Sequence, residues 1–363
     1  MRNFTFKGLF LTAVFALLWS LTIQAADDGL ITKQITIKLD KAGTLPNMIT
    51  SSEMYKITNL KIIGEIKGTD WNMIREMAGR DYRGDVTEGN LSVLDLSEAK
   101  IVEGGDYYYY SFTDYKVYTS NDEIGEYAFH DCSGLTSLTL PAGITSIGRS
   151  AFVGCSGLTS LNLPAGITSI GRSAFEGCSG LTSLTLPASI TTIGESAFEG
   201  CSGLTSLTLP ASITSIGESA FRYCSGLTSL NLPASILCID KYTFYGCSGL
   251  TTLTLPAGID WIGDYAFYGC SGLTSINLPA SILSIGDYAF RECSSLTRLD
   301  LPSSIREIYH SAFMNCRNLT SLTIPSNVTY ISSRAFSGCS SLKNITLPTR
   351  IFEIGDNAFY GCI

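Results

Sequence analysis

From about residue 123 to the last residue, apolar positions return every 23 residues. Within one unit, Leu138 and Leu140 alternate with Ser137 and Thr139, which predicts a short strand with one buried face. Pro141 ends the strand, because proline has no N–H to give to a ladder. Ile144 and Ile147 predict a second short inward-facing piece. Ala151, Phe152 and Cys155 suit one tight helical turn with its inner face buried. The Cys-Ser-Gly that closes the unit turns the chain back. Residues 174–190 read AFEGCSGLTSLTLPASI and come back almost unchanged at 197–213. Phenylalanine recurs from Phe129 to Phe359, proline from Pro141 to Pro348 and cysteine from Cys132 to Cys362, each at this same interval.

A unit of this kind cannot bury its apolar positions alone; stacking on its neighbours does so. A 23-residue period carrying L-x-x-L-x-L predicts a leucine-rich repeat solenoid. The expected fold has a parallel β-sheet on one face, with short strands and tight helical turns on the other. Successive strands should lie roughly 4.8 Å apart. About ten repeats fill residues 123–363. Residues 26–122 lack the period but keep rungs of the same kind, LKIIG at Leu60 and LSVLDLS at Leu91. Trp71 to Ala78 reads as a short helix with Trp71, Ile74 and Ala78 on one face. This stretch is expected to be an irregular cap. A tyrosine-rich insertion, EGGDYYYYSFTDYKVYTSND, swells it between Ile101 and Ile124. No polar cap follows Cys362, so the chain reads as a fragment or as lacking further domains.

The N-terminus changes the picture of where the protein works. Arg2 and Lys7 accompany an apolar run from Leu9 to Ile23, and Ile23-Gln24-Ala25 offers a cleavage site. Residues 1–25 are expected to be a signal peptide. The run is about 15 residues, short of the roughly 20 that span a bilayer. No later segment is apolar enough to cross a membrane, so a secreted or cell-surface location follows. The net charge is −8, and losing Arg2 and Lys7 makes it more negative. That argues against nucleic acid and anionic membranes as partners. Twelve cysteines in an exported chain suggest disulfides. Eleven of them, however, occupy one repeat position, Cys132 through Cys362. Stacked one rung apart with parallel Cβ vectors, they cannot meet disulfide geometry. They are expected to be buried unpaired thiols, with Cys238 alone exposed.

Chemistry is sparse. The two histidines, His130 and His310, are expected at the surface without a catalytic role. No nucleophile elbow, zinc pattern, calcium loop or phosphate loop stands out. No enzyme, metal or cofactor is expected.

The repeat LTSLTLPASITSIGxSAFxGCSG resembles the BspA-like leucine-rich repeat family over about 123–363. GTDWNMIREMAG and LSVLDLSEAKIVEGGD are similar to the leader region of such proteins from Bacteroides-type bacteria. The resemblance implies an exported surface protein that adheres to host matrix proteins, host cells or other bacteria. The family shares no residue-level binding motif, so no site residue carries over. The sequence departs from anchored members in lacking a wall-sorting motif.

Three surfaces remain as candidates. The outward strand positions, from Ser137/Thr139 to Asn344/Thr346, form a polar, nearly uncharged sheet. It is either solvated β-formers or a face that hydrogen-bonds an extended peptide or glycan. Its one charged rung is Arg298/Asp300. Tyr223, Tyr242, Tyr245, Tyr265, Tyr268 and Tyr288 fall beside the Ala-Phe turn of consecutive repeats. They either form an exposed contact stripe or pack over the phenylalanines. Tyr107, Tyr108, Tyr109, Tyr110, Tyr115 and Tyr118 of the insertion either form a recognition loop or seal the end of the core. The expected function is adhesive binding of host matrix or cell-surface proteins. The alternative is glycan capture.

Overall fold

The computed structural model describes residues 29–111 and 113–362; residues 1–25, read as a signal peptide, lie outside them. The Leu-x-Leu pieces form a parallel ladder. It begins with β1 (Ile35–Lys38), β2 (Asn59–Ile66) and β3 (Val93–Ile101). The same sheet then continues through Ser137–Thr139, Ser160–Asn162 and Ser183–Thr185. Like pairs with like across the period, Ser160 with Ser183 and Leu161 with Leu184. Later rungs carry the ladder on to Asn344–Thr346. A second parallel ladder of two-residue strands runs along another side, pairing Ile147, Ile170, Ile193 and Ile216 in turn.

The turn between the second ladder and the next rung is where the structure adds to the sequence reading. It is a third ladder, not a helical turn. The N–H groups of Ser150, Phe152 and Gly154 donate to the carbonyls of Arg172, Ala174 and Glu176 on the next rung, at 2.8–2.9 Å. A helix would spend those donors within its own turn. The chain avoids helix because each turn holds two left-handed positions; Gly154, Gly177, Gly200, Tyr223, Gly246 and Gly269 stand at the second, and the first is not glycine. Tyr127, Ser150, Ser173, Ser196, Ser219, Tyr242, Tyr265, Tyr288, Ser311, Arg334 and Asn357 all have φ between 52° and 58°.

Inside the ladders, identical side chains stack. Phe152 lies on Phe175 with centroids 5.1 Å apart and planes 1° apart, and the phenylalanine column continues to Phe359. Each column cysteine does more than fill space. From Cys155 onward its Sγ donates to the phenylalanine carbonyl one rung back, as Cys155 to Phe129 and Cys178 to Phe152 at 3.0 Å, whereas Cys132 on the first rung faces His130 O. Twelve free cysteines are present, and Cys238 is exposed. Burial pushes the column thiols up, Cys178 to about 12. Cys362, on the last described rung, is half-buried.

The first repeat needs a substitute for a preceding rung. Its carbonyls at Glu126 and Ala128 stand where Arg149 and Ala151 accept from a rung before them. Side chains of the N-terminal region supply the donors. Tyr108 Oη donates to Glu126 O at 2.8 Å, and Trp71 Nε1 donates to Ala128 O at 3.0 Å. Arg75 Nη1 donates to Tyr127 O and Ala128 O at 2.6 and 3.0 Å. Trp71 and Arg75 sit on α1 (Gly68–Met77), where the sequence places a short helix. Trp71 and Ile74 are buried together on it, with Ala78 just beyond. Arg75 is fully buried with no carboxylate beside it; three carbonyls and the Tyr109 ring face, 5.4 Å away, hold its charge.

Two outcomes test this architecture. Thiol titration of the native protein should show rapid reaction at Cys238 alone, with all twelve thiols reacting after unfolding; fast native reaction at the column would contradict it. Tyr108→Phe should lower stability by about 1–3 kcal/mol in a denaturant titration, because a buried carbonyl loses its donor.

Candidate binding surfaces

The tyrosine insertion folds as an antiparallel hairpin of β4 (Gly104–Tyr110) and β5 (Lys116–Thr119). It lies against α1, where Asn72 Nδ2 donates to Tyr107 O at 2.9 Å. Alternation along β4 divides the four consecutive tyrosines. Tyr108 points into the core beside Trp71, at 6.1 Å, and is 1% exposed. It is therefore part of the seal and is withdrawn from the candidate surface. Tyr109 is half-buried and stacks on Tyr127 at 4.4 Å. Tyr107 is partly covered by Tyr82, Tyr110 and Tyr118, with the Lys116 ammonium 4.9 Å from its ring centre. Tyr115 and Tyr118 are exposed. Tyr115 Oη donates to the Glu126 carboxylate at 3.0 Å, which raises the phenol's pKa.

The repeat tyrosines form two stacked columns. Tyr242, Tyr265 and Tyr288 stack at 5.0 and 4.6 Å. Tyr245 and Tyr268 stack beside them at 4.6 Å. Arginines close the columns. The Arg222 guanidinium lies over Tyr223, Tyr245 and Tyr242 at 4.8, 5.2 and 5.9 Å. Arg291 lies over Tyr268 and Tyr288 at 5.4 and 5.7 Å. Tyr223 meets Tyr245 edge-on at 5.3 Å. The repeat tyrosines pack on one another and on arginine, and among the described residues no phenylalanine ring is a partner of theirs. The ring faces are spent on packing between rungs, while the half-exposed edges remain outside. Tyr223, like Tyr242, Tyr265 and Tyr288, is left-handed, but at a different repeat position. Its φ of 57° falls where Gly154, Gly177, Gly200, Gly246 and Gly269 stand in other rungs.

The outward positions of the long strands are exposed from Ser137 and Thr139 onward. A shallow groove there is lined by Ser137, Thr139, Ser160, Asn162, Pro164 and Ala165. Arg298 and Asp300 pair with each other on one strand at 2.8 Å. At more than half exposure each, the pair contributes little to stability. The histidines are half-buried rather than surface groups. His130 sits by Tyr109 and Tyr127, and its burial lowers its pKa. His310 Nδ1 bonds Ser333 Oγ at 2.7 Å. Among the described residues no group of histidines, cysteines and carboxylates could hold a metal ion. No helix among them is long and apolar enough to cross a membrane.

The sequence matches the profile of the BspA type Leucine rich repeat region in six copies, over residues 101–228, 214–317 and 237–363. The chain belongs to this family. Curated proteins include no match to it. Among solved structures, a leucine-rich repeat protein from Bacteroides ovatus is 30% identical over 69% of this chain and 82% of its own, with a TM-score of 0.41. A leucine-rich cell surface protein from Faecalibacterium prausnitzii is 27% identical over 72% of this chain and 83% of its own, TM-score 0.43. The pneumococcal vaccine antigen PcpA is 23% identical over 77% of this chain and 74% of its own, TM-score 0.50, and shares the fold. As a BspA type repeat protein the chain is a scaffold, and its individuality lies in where single rungs depart from the repeat.

The tyrosine column gives a direct test. Tyr265→Ser restores the residue that Ser150, Ser173 and Ser196 carry at the same left-handed position. The variant should fold with unchanged circular dichroism. It should lose about 1–3 kcal/mol in a thermal or denaturant titration, since two stacked ring pairs vanish.

Proposed function

We propose that this chain is a non-enzymatic binding protein, exported to the cell surface or secreted, that adheres to host matrix or cell-surface proteins or to other cells. Tyr223, Tyr242, Tyr245, Tyr265, Tyr268 and Tyr288 form its principal contact surface. The observation behind this reading is the stacking itself. Rings held on both sides by other rings and by Arg222 and Arg291 lose little freedom when a partner binds. Pre-ordered tyrosine edges and hydroxyls suit a protein surface. Repetition adds parallel weak contacts and so avidity. Tyr115 and Tyr118 of the hairpin extend the aromatic surface toward the N-terminus.

Glycan capture is the second reading. It draws on the strand-face groove, where hydroxyls and an amide converge at Ser137, Thr139, Ser160 and Asn162. The tyrosine columns favour it less, because sugars stack on open ring faces and these faces are covered.

The test is binding of the purified protein to an array of host matrix proteins and glycans, beside the variant Tyr242→Ser/Tyr265→Ser/Tyr288→Ser. Serine is native to this repeat position, so the variant keeps the fold. Saturable protein binding that falls at least tenfold in the variant is the expected result. Binding confined to glycans and undiminished in the variant would overturn it in favour of the strand face.

A further inference from the structure

The outer face of the two-residue strands carries an anomaly that the tyrosine surface does not use. At one outward position of this ladder the early rungs carry threonine. The hydroxyls of Thr145, Thr191 and Thr214 donate to the carbonyls of Asp122, Thr168 and Thr191 at 3.2, 3.2 and 3.3 Å. At the next rungs the same position reads Leu237, Asp260, Leu283 and Arg306. The backbone ladder persists, with Asp260 N to Leu237 O at 3.0 Å and Leu283 N to Asp260 O at 2.8 Å. The side-chain bond does not. In its place Leu237 and Leu283 are 60% and 62% exposed. Two hydroxyls that served the fold have been exchanged for two apolar side chains that face solvent. Beside them the adjacent outward position carries the exposed Cys238 paired to the half-buried Trp261, where Ser146, Ser169, Thr192, Ser215 and Ser284 stand in neighbouring rungs. Asp240 and Asp260 both lie close enough to act on the Cys238 thiol. The patch is thus apolar, with carboxylates set into it.

We propose that Leu237, Trp261 and Leu283 form a docking site for an amphipathic α-helix of a partner protein, lying along the solenoid axis. Rung spacing argues for a helix. The phenylalanine column beneath these rungs steps by 5.3, 5.0 and 5.3 Å. A helix rises about 1.5 Å per residue, so each step, between the roughly 4.8 Å of the ladder and these ring separations, takes up roughly 3.2–3.5 residues, close to the period of a hydrophobic seam. A strand presents same-face residues every ~6.6–6.8 Å and falls out of step after one rung. Charge sets the order. Leu237, Asp260, Leu283 and Arg306 ask for apolar, basic, apolar and acidic residues at positions i, i+3, i+7 and i+10 of the helix. Apolar anchors in the centre supply affinity, and the opposed charges fix register and direction.

The site uses none of the tyrosine-column residues, and the tyrosine-to-serine variant leaves Leu237, Asp260, Trp261 and Leu283 in place, so either reading can fail alone. The probe is a fluorescein-labelled helical peptide of alanine and glutamine with Leu, Lys, Leu and Glu at i, i+3, i+7 and i+10. Its anisotropy is followed as purified protein is added, and Cys238 alkylation is followed in parallel. Saturable binding that slows alkylation of Cys238 is expected. Leu237→Thr/Leu283→Thr, which restores the repeat's own residue, should weaken binding at least tenfold with an unchanged melting curve. Asp260→Lys should weaken it similarly and favour a peptide with Glu at i+3. The proposal is overturned if no saturable binding occurs, if a scrambled peptide binds equally, or if the threonine variant binds undiminished. It is also overturned if sedimentation shows a dimer that the threonine variant converts to monomer, since the occupant is then a second copy.

Discussion

The structure depends on one constraint: every rung must hand its backbone donors to the rung beside it at the same 23-residue offset. Three ladders meet it at once, two of strands and one through the turn. Because the offset is fixed, each side chain is placed over its own copy. Like then stacks on like, and the interior becomes a set of columns. Phenylalanine lies on phenylalanine, and from Cys155 onward each column thiol reaches the phenylalanine carbonyl one rung back. A column is satisfied within itself, which explains why the chain tolerates near-verbatim repetition. Burying each large side chain contributes about 1.5–3 kcal/mol, most of it offset by chain entropy. Cooperation between neighbours is what makes the sum favourable.

The same constraint creates the problem at the first repeat, where carbonyls face no preceding turn. Trp71, Arg75 and Tyr108 answer it with side-chain donors. This is why the tyrosine hairpin is bound to α1 and to the core. The fully buried Arg75 follows as well. A guanidinium carries five donors in a rigid fork, and here it serves carbonyls from two segments of chain.

The solenoid, its parallel sheet and its unpaired thiols were legible because each rests on periodicity, and periodicity is what a sequence displays most openly. The turn ladder was not. Its first left-handed position is filled by serine, tyrosine, arginine and asparagine, and the second is glycine in most rungs but Tyr223, Glu292 or Asn315 in others, so no single residue type marks the ladder. Four consecutive tyrosines likewise hide which one is core, since Tyr107 to Tyr110 offer no contrast between the two faces of β4. Leu237 and Leu283 are hidden for the opposite reason. A leucine reads as an inward residue, yet these two stand in a column of threonines that face water. The signal was present in the alignment of the chain with itself. It lay in the position of the residue and not in its type.

A uniform solenoid also shapes how binding specificity can arise. Identical rungs present identical surface, so a partner meeting only the consensus could slide along it without preferred register. Register requires departures, and they must neighbour one another to act together. Residues 219–292 concentrate them: two tyrosine columns closed by Arg222 and Arg291 on the turn side, and Leu237, Trp261 and Leu283 on the short-strand side. The phenylalanine column is unchanged through this stretch, with Phe221 to Phe290 stacked at 5.0–5.6 Å. Conserving the columns inside leaves the outward positions free to vary at little cost to folding. A strained Tyr223 in a glycine position and two exposed leucines in threonine positions do nothing for the ladder beneath them. Their placement is intelligible as selection acting on what the surface touches, on a scaffold whose interior has already met its own requirements.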